Sequence, residues 1–262
     1  MWQYYELFAF LGIFFFLLTI VFALLKNTKV NKFASISAWT GLLFVSIFIV
    51  ILWVSLERPP LRTLGETRLW YSFFIMLMGC AIHARFRYDW LLAYCAFLAS
   101  LFLLLNYVHP EVQSKALMPA LQSIWFVPHV IVYMISYALL AQSALSGVRG
   151  MYQMQKGNSS ENTIQIADRV VAIGFGFLTM GLIFGALWAK EAWGHYWTWD
   201  PKETWALMTW LVYLIYIHIR KRNPDKLNLH YALLFFGFLI LIICWFGIKY
   251  LPNAATSVHI YS

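Results

Sequence analysis

Long apolar stretches, separated by short polar segments, run along the whole of this chain and limit what it can fold into. A helix needs roughly 20 apolar residues to cross the hydrocarbon core of a membrane. Eight such stretches can be drawn, at about 5–25, 34–55, 69–86, 88–108, 125–148, 166–188, 204–219 and 230–250. Because lipid offers a backbone no hydrogen-bond partners, such stretches cross membranes as helices. The sequence therefore predicts an all-α polytopic membrane helix bundle with about eight transmembrane helices.

The composition excludes an ordinary soluble domain. Of the 262 residues, 62% are hydrophobic and 11% are charged, whereas soluble globular domains carry about 25% charged residues. No internal repeat and no low-complexity segment divides the chain. We therefore expect residues 1–262 to form a single integral membrane domain.

The distribution of Lys and Arg predicts how the helices are oriented. Most of these residues fall in the loops after the first, third, fifth and seventh apolar stretches, and the net charge of +8 lies on that side. Basic loops stay in the cytoplasm. Eight spans then place both termini on the outer side. Since topology explains the excess of basic residues, no nucleic-acid partner is expected.

Tryptophan is concentrated in one loop on the predicted outer side. Six of the 13 Trp residues lie between Trp188 and Trp210. Tryptophan favours membrane interfaces in general, but an interfacial belt should be shared among many loops. The concentration therefore favours a platform for a large, flat, apolar ligand. Within it, Asp200-Pro201-Lys202-Glu203 has the pattern of a helix start, with Asp as N-cap, Pro at the first position and Glu completing a capping box.

Two histidines fall near this loop in the predicted topology. His129 lies about 6 Å below the outer surface, at 1.5 Å per residue, and His259 follows the last span. Ionisable residues inside membranes mark functional sites, and neutral imidazole is a common haem-iron ligand. Each histidine could instead be a solvated loop residue or a hydrogen-bonded core residue. His218 ends the seventh span on the cytoplasmic side, where an ordinary interfacial histidine is the alternative.

The loop sequence WGHYWTWD, at 193–200, continues as PKETWALMTW. This run resembles the tryptophan-rich "WWD" signature of the haem-handling proteins of cytochrome c assembly. It is more similar to the CcsA (ResC) branch than to the CcmC branch. The resemblance extends over roughly residues 57–262 and includes the FVPHV context of His129, whereas the first two spans match only in being hydrophobic.

The resemblance implies a set of site residues. The haem, expected as haem b, would be held by two outer histidines that ligate its iron from both faces, His129 and His259. His218 would ligate an inner haem together with a histidine of a partner subunit, with His83 as an alternative partner at a similar depth. His195, His109 and His230 are given no role. The loop residues implied to contact haem are Trp193, Gly194, Trp197, Trp199 and Asp200.

The resemblance also implies a function. The chain would be the haem-binding and haem-delivery subunit of a cytochrome c synthase (haem lyase), presenting haem at the outer face for thioether attachment to the CxxCH motif of apocytochrome c. Its partners would be a CcsB-type membrane subunit, apocytochrome c and a thioredoxin-like thiol reductant. Its location would be the bacterial cytoplasmic membrane or a thylakoid-type equivalent. Whether this chain itself catalyses the attachment stays open, because it lacks the partner's large outer domain.

Two alternative functions remain at this point. A CcmC-like protein would load haem onto a chaperone, and fewer spans and a Trp-Asp pair without the PKE continuation would favour it. A membrane b-type cytochrome would carry electrons between His-ligated haems, but it would not need the Trp-rich loop.

Overall fold

The computed structural model describes residues 2–25, 31–112, 123–247 and 250. Within these ranges it contains eight α-helices and no strand, so the predicted all-α fold is confirmed. Each of the eight apolar stretches corresponds to one helix. The chain divides into two compact units, Met1–Leu121 and Gln122–Ser262. The assignment of all 262 residues to one membrane domain stays a prediction.

The described residues of unit 1 form four α-helices and a short 3₁₀ turn at Pro110–Val112. Helix α1 packs on α2 and α4, and α3 packs on the same two neighbours, which gives a ring of four. Close approach needs small residues: a Cβ at Gly41 would lie 2.6 Å from the ring of Phe16. The helices are α1 (Tyr5–Leu24), α2 (Asn31–Leu56), α3 (Leu64–Phe86) and α4 (Asp89–Val108).

Helix α3 begins five residues before the predicted apolar stretch because of polar interactions at its start. Thr63 and Glu66 form a capping box. The buried Glu66 carboxylate also accepts two hydrogen bonds from the guanidinium of Arg58, at 3.0 and 2.8 Å. A buried carboxylate is tolerated when it is paired in this way. The first turns of α3 therefore form although they are polar.

Unit 2 repeats the same four-helix arrangement. Helix α5 packs on α6 and α8, and α7 packs on these same two helices. After α8 the chain makes a π-helical turn at Ile243–Gly247. The helices are α5 (Phe126–Gln155), α6 (Glu161–Trp193), α7 (Pro201–Arg222) and α8 (Leu227–Ile242).

Seven of the helices in the described ranges are long and apolar enough to cross a membrane, as expected for a polytopic membrane protein. The exception is α7, whose 22 residues would reach about 33 Å. It is long enough to span but less apolar, because charged residues stand at both of its ends: Lys202 and Glu203 at the start, and Arg220, Lys221 and Arg222 at the end. Between these charged ends its buried residues are Thr209, Tyr213 and Tyr216, whereas His218 is exposed.

At the end of unit 2 farthest from the Trp-rich loop, α7 is fixed to α6. Asp168 accepts a 2.6 Å hydrogen bond from the hydroxyl of Tyr216. The same carboxylate accepts a 3.0 Å bond from Nε of Arg220. Ion pairs of this kind limit rotation of a helix about its axis, so they set which face of α7 points outward.

The two ends of α6 provide a test of topology. Helix α6 has 33 residues and so is about 50 Å long, which places Ser159 and Thr198 near its opposite ends. Both residues are exposed, and the three native cysteines are buried. We expect an impermeant thiol reagent to label Thr198→Cys in intact cells and Ser159→Cys only after the membrane is opened. Equal labelling of both variants in intact cells would contradict this orientation.

Candidate functional site

The Trp-rich loop, residues 194–200 between α6 and α7, is held at both ends. Gly194 caps α6 with a φ of +86°, in the left-handed region. Its carbonyl accepts a 2.8 Å hydrogen bond from Nζ of Lys190. At the other end, the predicted capping box is confirmed: Asp200 caps α7, with Pro201 at its start. The loop therefore has fixed ends on two long helices.

The carboxylate of Glu203 ties the middle of the loop to α7. Its Oε2 accepts the backbone N–H of Thr198 at 2.8 Å and that of Asp200 at 3.2 Å. Charge-assisted hydrogen bonds of this kind are stronger than neutral ones. Glu203 therefore orders the loop in addition to capping the helix.

The two tryptophans of the loop differ in exposure. Trp197 is half-buried, whereas Trp199 is 67% exposed. Their rings are nearly perpendicular, with centroids 5.8 Å apart. Trp199 has a φ of +60°, and a non-glycine residue in this region costs about 1–3 kcal/mol. The loop therefore presents a large aromatic side chain outward from a strained backbone.

His129, in the first turn of α5, lies against α6. Its Nδ1 is 2.9 Å from the carbonyl oxygen of Gly181. Because a carbonyl only accepts, Nδ1 must carry the proton, and Nε2 then has the lone pair that a metal ion needs. Metal-ligating histidines are usually oriented by such a bond from the other ring nitrogen. The geometry therefore suits His129 to be a ligand through Nε2.

Two glycines of α6, Gly181 and Gly185, make room for this arrangement. A Cβ at Gly185 would lie 2.7 Å from Cε1 and 2.9 Å from Nδ1 of His129, and one at Gly181 would lie 2.7 Å from the ring of Tyr133. The Tyr133 ring in turn lies 4.7 Å from the His129 ring. The two glycines of α6 therefore leave the space that the His129 and Tyr133 rings of α5 occupy.

Aromatic contacts connect His129 to the end of α6. The rings of His129 and Trp188 are 5.4 Å apart, and those of Trp188 and Trp193 are 4.8 Å apart. Trp188 is only 3% exposed, so it is a fixed part of the wall. Of the loop residues predicted to contact haem, Trp193 is thus the one linked to His129 by described ring contacts.

Two cavities flank the loop. The His129 cavity has a volume of about 160 Å³. It is lined by α5, α6 and α7, by the Trp-rich loop and by the turn that follows α8. Its lining residues include His129, Tyr133, Gly185, Trp188, Trp197 and Lys202. The His195 cavity, of about 460 Å³, is lined by residues that include Trp193, His195, Thr198, Trp199 and Asp200. Glu203 lines both. Ligand pockets usually measure roughly 300–1,000 Å³, so the His129 cavity admits part of a large ligand rather than all of it.

Lys202 brings a positive charge to the His129 cavity. It lies in the first turn of α7, outside the predicted span 204–219. Burial lowers the pKa of its ammonium group, and the neighbouring Cys244 and the Asp200 carboxylate oppose that shift. Asp200 itself is 6% exposed, and its Oδ1 accepts the Lys202 backbone N–H at 2.8 Å.

The structure thus brings His129, the Trp-rich loop and the predicted loop residues together at one end of unit 2. His218 lies elsewhere, about 26 Å along α7 from Pro201. It is exposed on the same helix face as Met208, Leu211 and Ile215. Its Nδ1 donates to the carbonyl of Leu214 at 2.8 Å. His259, the predicted partner of His129, lies outside the described residues.

The remaining histidines have other surroundings. His83 is buried, and its Nε2 is 2.8 Å from Oδ1 of Asp89. His109 is exposed and pairs with Glu111 at 2.9 Å. His230 is fully buried, with its ring edge-on to Tyr216. His195 is exposed in the loop. The suggestion that His83 is an alternative partner for an inner haem stays a prediction.

Several contributors to the site were not predicted as site residues, among them Gly185, Trp188 and Lys202. The signal for Gly185 was present, since glycines four residues apart predict a close helix contact, but the sequence does not identify the contacting ring. Trp188 belonged to the predicted tryptophan concentration. Lys202 was interpreted only as part of a helix start.

Comparisons with known proteins identify similar chains. The family described as "Cytochrome C assembly protein" matches residues 1–255. The chain is 33% identical over 256 residues to the cytochrome c biogenesis protein CcsA of Chlamydomonas reinhardtii, covering 92% of this chain and 72% of the relative. It is 30% identical over 272 residues to the cytochrome c biogenesis protein CcsA of Mesostigma viride, covering 88% of each.

A solved structure has a similar fold. The chain matches "Cytochrome c Heme Lyase CcmF" with a TM-score of 0.69 and 18% identity, over 92% of this chain and 46% of that one. This chain therefore spans about half the length of that structure. At this identity the likeness shows the fold alone.

The close packing of the His129 ring against Gly185 can be tested by adding a methyl group at residue 185. In Gly185→Ala the added Cβ would meet the His129 ring, so the ring must shift, and overpacking of this kind costs about 1–3 kcal/mol. We expect a lower midpoint of thermal unfolding, followed by tryptophan fluorescence in detergent. Gly176→Ala is the matched control in the same helix, because nothing lies within 4 Å of a Cβ there. Equal stability of the two variants would show that the His129 ring is not closely packed against Gly185.

Proposed function

Because this chain belongs to the cytochrome c assembly protein family, and so takes part in cytochrome c biogenesis in a membrane, we propose that it binds haem beside its Trp-rich loop and presents it to apocytochrome c. The observation that carries the proposal is the set of contacts that orient the His129 ring. Its Nδ1 is fixed by the Gly181 carbonyl, and its ring lies among Tyr133 and Trp188. This combines an oriented imidazole with flat aromatic walls.

His129 would be one axial ligand of the haem iron, and His259 the other. Haem b is here a substrate that is passed on. Two imidazoles would protect the iron until the histidine of the CxxCH motif displaces one of them. Ligands on two separate segments would also let one be released while the other still holds the haem.

The attachment itself is an addition reaction. The thiol of each CxxCH cysteine adds across a haem vinyl group, so that a carbon–sulfur bond forms and the thiol hydrogen ends on the other vinyl carbon. Chemistry of this kind needs chiefly that the reactants be held in position. The fixed loop and His129 supply positioning, while the haem and the thiols supply the reactivity.

His218 would ligate a second haem. Its side chain lies on the outward face of α7, beside Met208, Leu211 and Ile215. A haem bound there would need its second ligand from another polypeptide, for which a CcsB-type membrane subunit is the proposed partner. A thioredoxin-like reductant would keep the CxxCH cysteines reduced. We place the Trp-rich loop on the outer side of a bacterial cytoplasmic or thylakoid-type membrane, in agreement with the positive-inside rule.

The axial role of His129 can be tested by chemical rescue. His129→Ala should reduce cytochrome c maturation by at least about tenfold, which is the size of loss that substitutions at metal sites usually cause. Added imidazole is small enough to fill the vacated position and should restore much of the loss. His259→Ala should behave in the same way. The measurement is the amount of covalently bound haem in a reporter c-type cytochrome.

Trp197→Ala is the matched control, because imidazole cannot replace a contact with the porphyrin plane and should rescue it far less. Normal maturation by both histidine variants without imidazole would refute the outer haem site.

The role of His218 has a separate readout. His218→Ala should lower the haem that co-purifies with the protein and its partner subunit, measured from the Soret absorbance per polypeptide. His109→Ala serves as the control, because His109 is also exposed but pairs with Glu111, and it should leave haem content unchanged. If haem content and spectrum stay the same in His218→Ala, this residue is an ordinary interfacial histidine.

A further inference from the structure

The His129 cavity contains two charged side chains with different roles. The carboxylate of Glu203 is engaged by the backbone N–H groups of Thr198 and Asp200. Lys202 is the positively charged residue in the cavity wall. A lysine in the wall of a cavity can form a charge-assisted hydrogen bond with an anionic group of a ligand that enters the cavity.

One neighbour of Lys202 in the described structure is the Asp200 carboxylate. The Asp200 Oδ1 accepts the backbone N–H of Lys202 at 2.8 Å, and its charge also acts on the Lys202 ammonium group. An ammonium group has three N–H donors. An ammonium group of this kind can therefore bond to more than one carboxylate at once.

Building on the proposed haem function, we infer that Lys202 pairs with a propionate carboxylate of the bound haem and so decides which edge of the porphyrin enters the His129 cavity. The propionates are the only ionised groups at the rim of the porphyrin. The cavity, at about 160 Å³, has room for one edge of the ring. The porphyrin edge with the propionate carboxylates is complementary in charge to a cavity wall that contains Lys202.

This assignment has a consequence for the reaction. The propionates of haem b occupy one half of the ring edge, and the two vinyl groups lie away from them. When the propionate edge lies at Lys202, the vinyl edge points out of the cavity, where cysteine thiols of an apocytochrome can reach it. Lys202 is thus a specificity-determining residue that orients the haem, whereas His129 binds its iron.

The test compares two porphyrins that differ at the propionates, which are ionised carboxylates in one and neutral methyl esters in the other. The full-length protein is produced in cells that cannot make haem, purified in detergent, and titrated with hemin or with hemin dimethyl ester while the Soret band is followed. We expect the wild type to bind hemin about tenfold more tightly than the ester, the scale of one charge-assisted hydrogen bond. Lys202→Gln should lose this preference, and Lys202→Arg should keep it.

Two controls separate the possible outcomes. Lys190→Gln removes the lysine that bonds the Gly194 carbonyl, and it should retain the preference for hemin. His129→Ala should weaken binding of both porphyrins equally and also retain the preference.

The inference is overturned if the wild type does not distinguish the two porphyrins, or if Lys202→Gln weakens both to the same extent, which would indicate only a structural role in the cavity wall. If the wild type binds neither porphyrin, the proposed haem function fails and this inference fails with it.

Discussion

The carboxylate of Glu203 is the interaction on which the arrangement of the site depends. It accepts the backbone N–H groups of Thr198 and Asp200, and Asp200 in turn caps α7. These bonds join a loop rich in large aromatic side chains to a long helix. The same few atoms therefore fix the positions of Trp197 and Trp199 and the direction in which Lys202 leaves the first turn of α7. A loop without this attachment could not hold a flat ligand in one orientation.

Much of the helical structure could be predicted from the local sequence. The eight helices follow from the apolar stretches, and the capping box from Asp200-Pro201-Lys202-Glu203, because each depends on residues close together in the chain. The polar character of α7 was not anticipated. Its buried Tyr213 and Tyr216 are surrounded by other helices, and a count of apolar residues does not distinguish a helix facing lipid from one facing its neighbours.

The environment of His129 could not be predicted, because it depends on contacts between distant residues. Its partner, the Gly181 carbonyl, is 52 residues away in sequence. The spacing of Gly181 and Gly185 predicts that some helix approaches α6 closely, but not that an imidazole ring occupies the gap. For His259, which lies outside the described residues, the sequence remains the only guide.

Two of the predicted haem histidines of unit 2, His129 and His218, differ in how much of their surroundings this chain supplies. The His129 ring contacts Gly181 and Trp188 of α6, so its orientation is set within one unit. His218 is oriented only by a bond to its own helix and lies on an exposed apolar face of α7. Burying such a face takes another surface, either lipid or protein. A haem held at His129 can therefore be positioned by this chain, whereas one held at His218 depends on whatever covers α7. If the proposed function is right, the outer haem site is largely built by this chain, and the site at His218 is completed by a partner.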